Sequence, residues 1–151
     1  MQLSSRFPVA VQMLIILAWC PEELKVTSEM MALSVNTNPA LIRRIMGYLK
    51  RAGLIAVTPG AGGTRLTRDP AGITLLEIYR AVELTGREGL FGLHEEQNLR
   101  CPIGIRINRI LRPHLAEAQE ALERSLAGVT VAKLLEGVPP FGQAISAEQV
   151  L

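Results

Sequence analysis

Arg43, Arg44, Lys50 and Arg51, with Gly47 among them, are the side chains whose types and spacing best suit chemistry. At the helical interval of about 100° per residue they gather on one side, and Leu41, Ile42, Ile45, Met46 and Leu49 gather on the other. Cations fixed along a helix can neutralise phosphates or read base edges in the major groove. Gly47 brings no helical advantage, but its missing side chain lets another backbone come close. Just beyond, Thr58, Thr64, Arg65, Thr67 and Arg68 add hydroxyls and cations of the kind that hold phosphates. The plainer reading of the same face is a solvated basic surface, which many helices carry.

Cys101 offers different chemistry. Arg100 precedes it, and Pro102, suited to a first helical position, follows it. A thiol at the positive end of a helix dipole, beside a cation, holds more of its thiolate form and suits a sensor of oxidants or electrophiles. A structural thiol packed under its loop fits the same residues, because a sensor also needs exposure. Cys20, at the end of an apolar run, reads as core. The two cysteines give neither a disulfide framework nor a CxxC pair, which suits a reducing cytoplasm. Neither His94 nor His114 has a catalytic setting, and Gly60 to Gly63 lacks the Gly-Lys-Ser/Thr of a phosphate-binding loop, so no enzyme is expected.

Local signals predict the elements that position these groups. Asn38 is a good N-cap, Pro39 fits the first helical position, and Gly53 fits the left-handed residue that ends a helix. Strands are expected over Leu54 to Thr58 and Thr64 to Thr67, around Pro59-Gly60-Ala61-Gly62-Gly63. Upstream, Arg6 to Trp19 is apolar nearly all round, as a core helix should be. Thr27-Ser28-Glu29 opens a short helix through Leu33, with Met30, Met31 and Leu33 expected to face inward, and Ser34 to Thr37 makes the turn. Three helices and a ribbon give a winged helix-turn-helix over residues 1–83.

Thr74 and Glu77 have capping-box spacing and open a helix from Leu75 to about Glu83. Thr85 to Arg100 lacks periodicity, so residues 84–103 read as a loop and sensor region. A long helix is expected from about Pro102 to Leu126, with Pro113 bending it. Its Ile107, Leu111, Leu115, Ala118, Leu122 and Leu126 recur at steps of three and four, a narrow seam suited to helix packing. That seam is expected to rest partly on the first helix of its own chain and partly on a second subunit. Residues 104–138 then form the dimerisation helix and a short helix, Val131 to Leu135, and residues 139–151 form a flexible tail. The fold class is mainly α with a small β-hairpin.

Composition narrows the partners. At 151 residues and 48% hydrophobic, the chain can bury a sizeable core. A net charge of +2 exerts no global pull on polyanions, so any such contact depends on the local patch. Aromatics at 4% argue against single-strand binding by base stacking. Val9 to Cys20 after Arg6 has the outline of an export signal, but Trp19 stands where a lipoprotein cleavage box needs a small residue, and the run is too short to span a bilayer. No membrane partner is expected.

On Arg6-Phe7, Asn38 to Gly53 followed by Leu54-Ile55, the glycine-rich run to Gly63, Ile73 to Ile78, and Thr130 to Leu135, nearly the whole chain resembles the Rrf-two family of bacterial winged-helix transcription regulators. The resemblance implies a cytoplasmic homodimeric repressor on a palindromic promoter site. It implicates Ser28, Asn36, Thr37, Asn38, Arg43, Arg44, Gly62, Gly63 and Arg65 in contact with double-stranded DNA, to which the basic face adds Gly47 and Lys50. Family members that hold an iron–sulfur cluster use three cysteines in the loop before the long helix. This chain has only Cys101 there, with His94, Glu95 and Glu96 nearby, so neither a cluster nor another metal cofactor is expected. A small-molecule or oxidant effector is compatible with Cys101. A winged helix that binds proteins rather than DNA is the alternative reading.

Overall fold

The computed structural model describes residues 4–83 and 90–143. Within them the chain forms α1 (Arg6–Trp19), α2 (Ser28–Val35), α3 (Pro39–Arg51), β1 (Ile55–Thr58), β2 (Gly63–Leu66), α4 (Leu75–Val82), α5 (Gly104–Ala127) and α6 (Val131–Leu135). The mainly helical architecture with one antiparallel ribbon is the one expected from the sequence. Residues 84–89 of the expected loop and 144–151 of the expected tail lie outside the described residues.

Helix α1 occupies the middle of the winged unit because it is apolar on nearly every side. Ala10, Met13 and Leu14 are fully buried, and the helix packs against α2, α3, α4, α6 and β2. Helix α2 buries Met31 as expected but not Met30 or Leu33. Met31 and Ala32 are buried with Val35 packed beside them, while Leu33 is 83% exposed and Met30 also lies outside the core. An eight-residue helix has room for one inward stripe, and positions 31, 32 and 35 take it.

The turn after α2 is closed by Asn36 in the left-handed conformation, which asparagine tolerates better than most side chains. Asn38 then caps α3, its Oδ1 accepting from the Ala40 amide at 2.7 Å, with Pro39 as the first helical residue. Gly53, at φ 74°, ends α3, and the Leu54 amide reaches back to the Leu49 carbonyl. These local devices set the start and stop of α3 before any packing is considered.

Strands β1 and β2 pair from Ile55 with Leu66 to Thr58 with Gly63, joined through a single 3-10 turn at Gly60–Gly62. A third segment anchors the ribbon. The Thr64 amide donates to the Val26 carbonyl at 2.9 Å, which ties the wing to the residues just before α2. Glycine suits that position, since its φ is 73° and a Cβ would crowd the Lys25 and Val26 backbone at 3.2 Å.

Thr74 caps α4 in the expected capping box with Glu77. Helix α5 begins at Gly104 rather than Pro102. Residues 101–103 instead form a turn in which Cys101 N–H donates to the Asn98 carbonyl, and a Cβ on Gly104 would stand 2.6 Å from that same oxygen. Helix α5 continues unbroken past Pro113 and leans on α4, where Arg80 bonds Glu123 at 2.7 Å. After α5 the chain returns to the winged unit. Val131 N–H donates to Ile73 O, Leu75 N–H donates to Val129 O, and α6 lies against α1. Beyond α6, Trp19 Nε1 donates to the Pro139 carbonyl at 2.6 Å and its ring meets Phe141 edge-on.

Thr74→Ala should lower the free energy of unfolding by about 1 kcal/mol, the usual value of a lost threonine cap, as read from a denaturant titration. Burial raises the Glu77 carboxyl's pKa, but the Thr74 amide and Arg68 outweigh this and hold it below the ordinary carboxylate range. A depressed folded value means the stability that Glu77 contributes is present above its unfolded pKa and is lost as pH falls through the folded one. The difference between the native protein and Glu77→Gln should therefore shrink on acidification.

Candidate nucleic-acid interface

Helix α3 is held by its inner stripe. Ile42, Ile45 and Leu49 are fully buried, and Met46 is nearly so. With that face fixed, Arg43, Arg44, Gly47, Lys50 and Arg51 are exposed, as the periodicity requires. The structure divides them into two stripes. Arg43, Gly47 and Lys50, at i, i+4 and i+7, form one, and Arg44, Tyr48 and Arg51 form the other.

The second stripe is organised by Tyr48. Arg51 lies over its ring at 5.0 Å from the centroid. The Arg44 guanidinium, with a smaller contribution from Arg6, holds the phenol below its usual pKa. The first stripe leans the other way, toward α2, where Arg43 Nη2 bonds Glu29 Oε1 at 2.5 Å. Glu29 is a member of this surface that composition and periodicity gave no reason to single out. It lies 14 residues from Arg43 in the chain. Gly47 keeps its expected openness, with nothing within 4 Å of where a Cβ would stand.

The wing contributes fewer free groups than its sequence offers. Thr64 is buried. The Thr67 hydroxyl donates to the Gly53 carbonyl, and Arg68 is paired with Glu77 at 2.6 Å. Of the five polar wing residues, Thr58 and Arg65 remain exposed without a side-chain partner among the described residues. Gly62 and Gly63 have internal reasons to be glycine: a Cβ on Gly62 would overlap Thr58, and Gly63 touches the Lys25–Val26 backbone. In the turn, Asn36 supplies the left-handed residue, the Thr37 amide donates to Ala32 O, and Asn38 caps α3. Ser28 opens α2 and donates to Glu29 Oε2 at 3.0 Å.

On α5 the seam expected for dimerisation is shared between two faces. Ile107, Leu115, Leu122 and Leu126 are half-buried, and Leu115 lines a recess of about 220 Å³ with Leu90, Phe91 and Leu93 of the preceding segment. Leu90 N–H also donates to Gln119 Oε1, and Asn108 Nδ2 donates to the His94 carbonyl. The principal neighbour of α5 within the chain is thus α4 and this segment, rather than α1. Leu111 is exposed together with Ile103 and Ile110, so the free apolar arc is rotated from the expected seam.

The profile of the family described as Rrf2, iron-dependent transcriptional regulator, matches residues 3–137. The chain belongs to the Rrf2 family. YwnA of Bacillus subtilis (strain 168), named as an HTH-type transcriptional regulator, is 40% identical over 125 residues, covering 83% of this chain and 90% of YwnA. A crystal structure described as a DNA-binding protein is similar at 34% identity and a TM-score of 0.69, over 87% of this chain and 99% of that one. CymR, the global cysteine regulator of B. subtilis, shares the fold at 21% identity and a TM-score of 0.66, over 92% of this chain and 99% of CymR. The Rrf2 protein described here is therefore a winged-helix transcription regulator, from a family of regulators rather than enzymes. Among the described residues no helix is long and apolar enough to cross a membrane.

The iron dependence in the family's description can be tested against the donors present. The chain has two cysteines, and Cys20 follows the end of α1, 81 residues before Cys101. Among the described residues no three His, Cys, Asp or Glu side chains gather to hold a metal ion. A cluster normally takes four protein ligands, and the set around Cys101 within one chain falls short of that. The Cys101 thiol itself is lowered in pKa, first by the Gly104 amide and then by that of Ile103, whereas burial raises Cys20. The amides at the start of α5 supply the effect expected of the helix end, and Arg100 does not contribute to it.

Two outcomes follow from this geometry. Gly47→Ala should raise thermal stability, because a helix-interior glycine costs about 1 kcal/mol relative to alanine, and should at the same time weaken binding to duplex DNA. A methyl that fits the protein but hinders the complex marks a point of close approach; unchanged binding would remove Gly47 from the interface. Near neutral pH, iodoacetamide should label Cys101 well before Cys20, followed by mass spectrometry of the peptides, because a lowered pKa leaves more thiolate at a given pH.

Proposed function

We propose that this Rrf2 protein is a homodimeric repressor that binds a palindromic promoter site in the cytoplasm, with one α3 in each of two successive major grooves. The observation that carries the reading is the exposed stripe Arg43, Gly47 and Lys50 on a helix whose opposite face is locked into the core. Arg65, exposed on the wing, would reach the flanking phosphates, and Arg44 adds charge along the second stripe. Helices of this kind read base edges, while neighbouring cations and hydroxyls fix the register on the backbone.

The free arc of α5 supports the dimer. Ile103, in the turn that leads into α5, is 70% exposed and Ile110 on α5 54%, and among the described residues no second helix of the chain packs on that side. Pairing two copies through this arc would set two α3 helices about 34 Å apart, one turn of the duplex, and so select an inverted repeat. A dimer seated across a promoter excludes polymerase from it, which makes repression the natural outcome.

The regulator is further proposed to work without an iron–sulfur cluster, since Cys101 is the loop's single cysteine. Cys101, held at the head of α5 with a lowered pKa, would respond to an oxidant by changing the packing of the helices that space the dimer.

The test is a binding titration with duplexes selected from the source genome, repeated over a range of salt. Native protein should show a steep linear fall of log affinity with log salt. Arg44→Ala should weaken all duplexes alike and reduce the slope by about one, whereas Arg43→Ala should chiefly relax sequence preference. Sedimentation should report a dimer. If Arg43→Ala and Arg44→Ala together leave duplex binding untouched, α3 is not the reading helix.

A further inference from the structure

We infer that Glu29 is a positioning residue for sequence recognition, orienting Arg43 toward a guanine in each half-site. The inference rests on the DNA-binding reading above and adds to it the residue that sets its specificity.

The contact is built from three side chains on two elements. Glu29 lies in the first turn of α2, after the Thr27 cap. Its Oε2 accepts from the Ser28 hydroxyl at 3.0 Å, and its Oε1 accepts from Arg43 Nη2. Both carboxylate oxygens are therefore engaged, and the carboxylate is held in one orientation. Its own backbone amide, then Arg43 and Ser28, keep the carboxyl below the usual range, so it is charged at neutral pH.

Folding does not account for this arrangement. Both side chains are 59% exposed, and exposed pairs contribute little to stability and are screened by salt. A carboxylate on the surface that faces phosphates would also repel them. Recognition does account for it. A free arginine loses much side-chain entropy when it binds, and fixing it beforehand removes that cost from the complex. A guanidinium has five N–H donors, and the Glu29 contact engages one nitrogen, which leaves donors for the O6 and N7 of a guanine. Among the described residues the neighbouring stripe lacks such a partner: Arg44 and Arg51 surround Tyr48, an arrangement suited to a phosphate rather than to a base edge.

The experiment uses the full-length protein and the tightest duplex selected from a random pool. Each base pair of a half-site is replaced in turn, and affinities are read by fluorescence anisotropy at fixed salt. Arg43→Ala should abolish preference at one guanine·cytosine pair per half-site. Glu29→Ala should reduce preference at that same pair by about tenfold and leave the other positions unchanged, in line with what one bidentate contact discriminates. The double variant should be no less selective than Arg43→Ala alone. Glu29→Gln, which keeps the shape and a neutral acceptor, should fall between Glu29→Ala and native protein, and all variants should melt as native protein does. Preference at that pair left undiminished in Glu29→Ala, or an equal change over every duplex, would overturn the inference while leaving the DNA-binding reading in place. Failure of native protein to bind any duplex would overturn both.

Discussion

The burial of Ile42, Ile45 and Leu49 is the constraint from which the surface of this Rrf2 protein follows. A helix has no preferred rotation about its own axis until one side is removed from water. Once those three side chains enter the core beside α1, the rotation of α3 is fixed, and with it the direction of every cation it carries. Rolling α3 by one position would expose aliphatic surface worth roughly 1.5 to 3 kcal/mol for each large side chain, more than any exposed ion pair could return. The candidate interface is thus aimed by the core, and its charged residues need contribute nothing to folding.

The wing is aimed by a different means, because a two-stranded ribbon is marginal on its own. Its register is anchored where Thr64 meets Val26, which ties β2 to the residues that lead into α2. Gly63 permits that approach, and Thr67 and Arg68 fasten the other end to Gly53 and Glu77. The same residues that looked like phosphate ligands are the fastenings of the ribbon. Arg65 is left free because its neighbours in β2 are not.

That distinction marks how far the sequence could be read. Period, caps and the glycine after α3 are local signals, and they located the helices, the hairpin and the division of α3 into two faces. Partnerships between distant residues are not local. Nothing within the window around Arg68 reveals that Glu77 will neutralise it, and nothing near Arg43 reveals Glu29, because each pair exists only once two elements cross. Helix α2 failed for a related reason. Eight residues sample barely two turns, so the choice between Met30 with Leu33 and Ala32 with Val35 is made by the shape of the neighbouring core rather than by periodicity.

Helix α5 carries this logic beyond the single chain. One face is occupied by α4 and the segment from Leu90 to Leu93, and the adjoining arc of Ile103, Ile110 and Leu111 stays open. The helix begins at the turn that holds Cys101 and ends where Val129 and Val131 pair with Leu75 and Ile73, the residues that lead into α4. Helix α4 in turn packs against α3. A displacement at the head of α5 therefore has a continuous route of packed elements to the helix that carries Arg43. In the dimer proposed through the open arc, the same displacement would change the separation of two such helices at once. Under the dimer proposed above, a small movement at one end of α5 would act twice on the affinity for an inverted repeat.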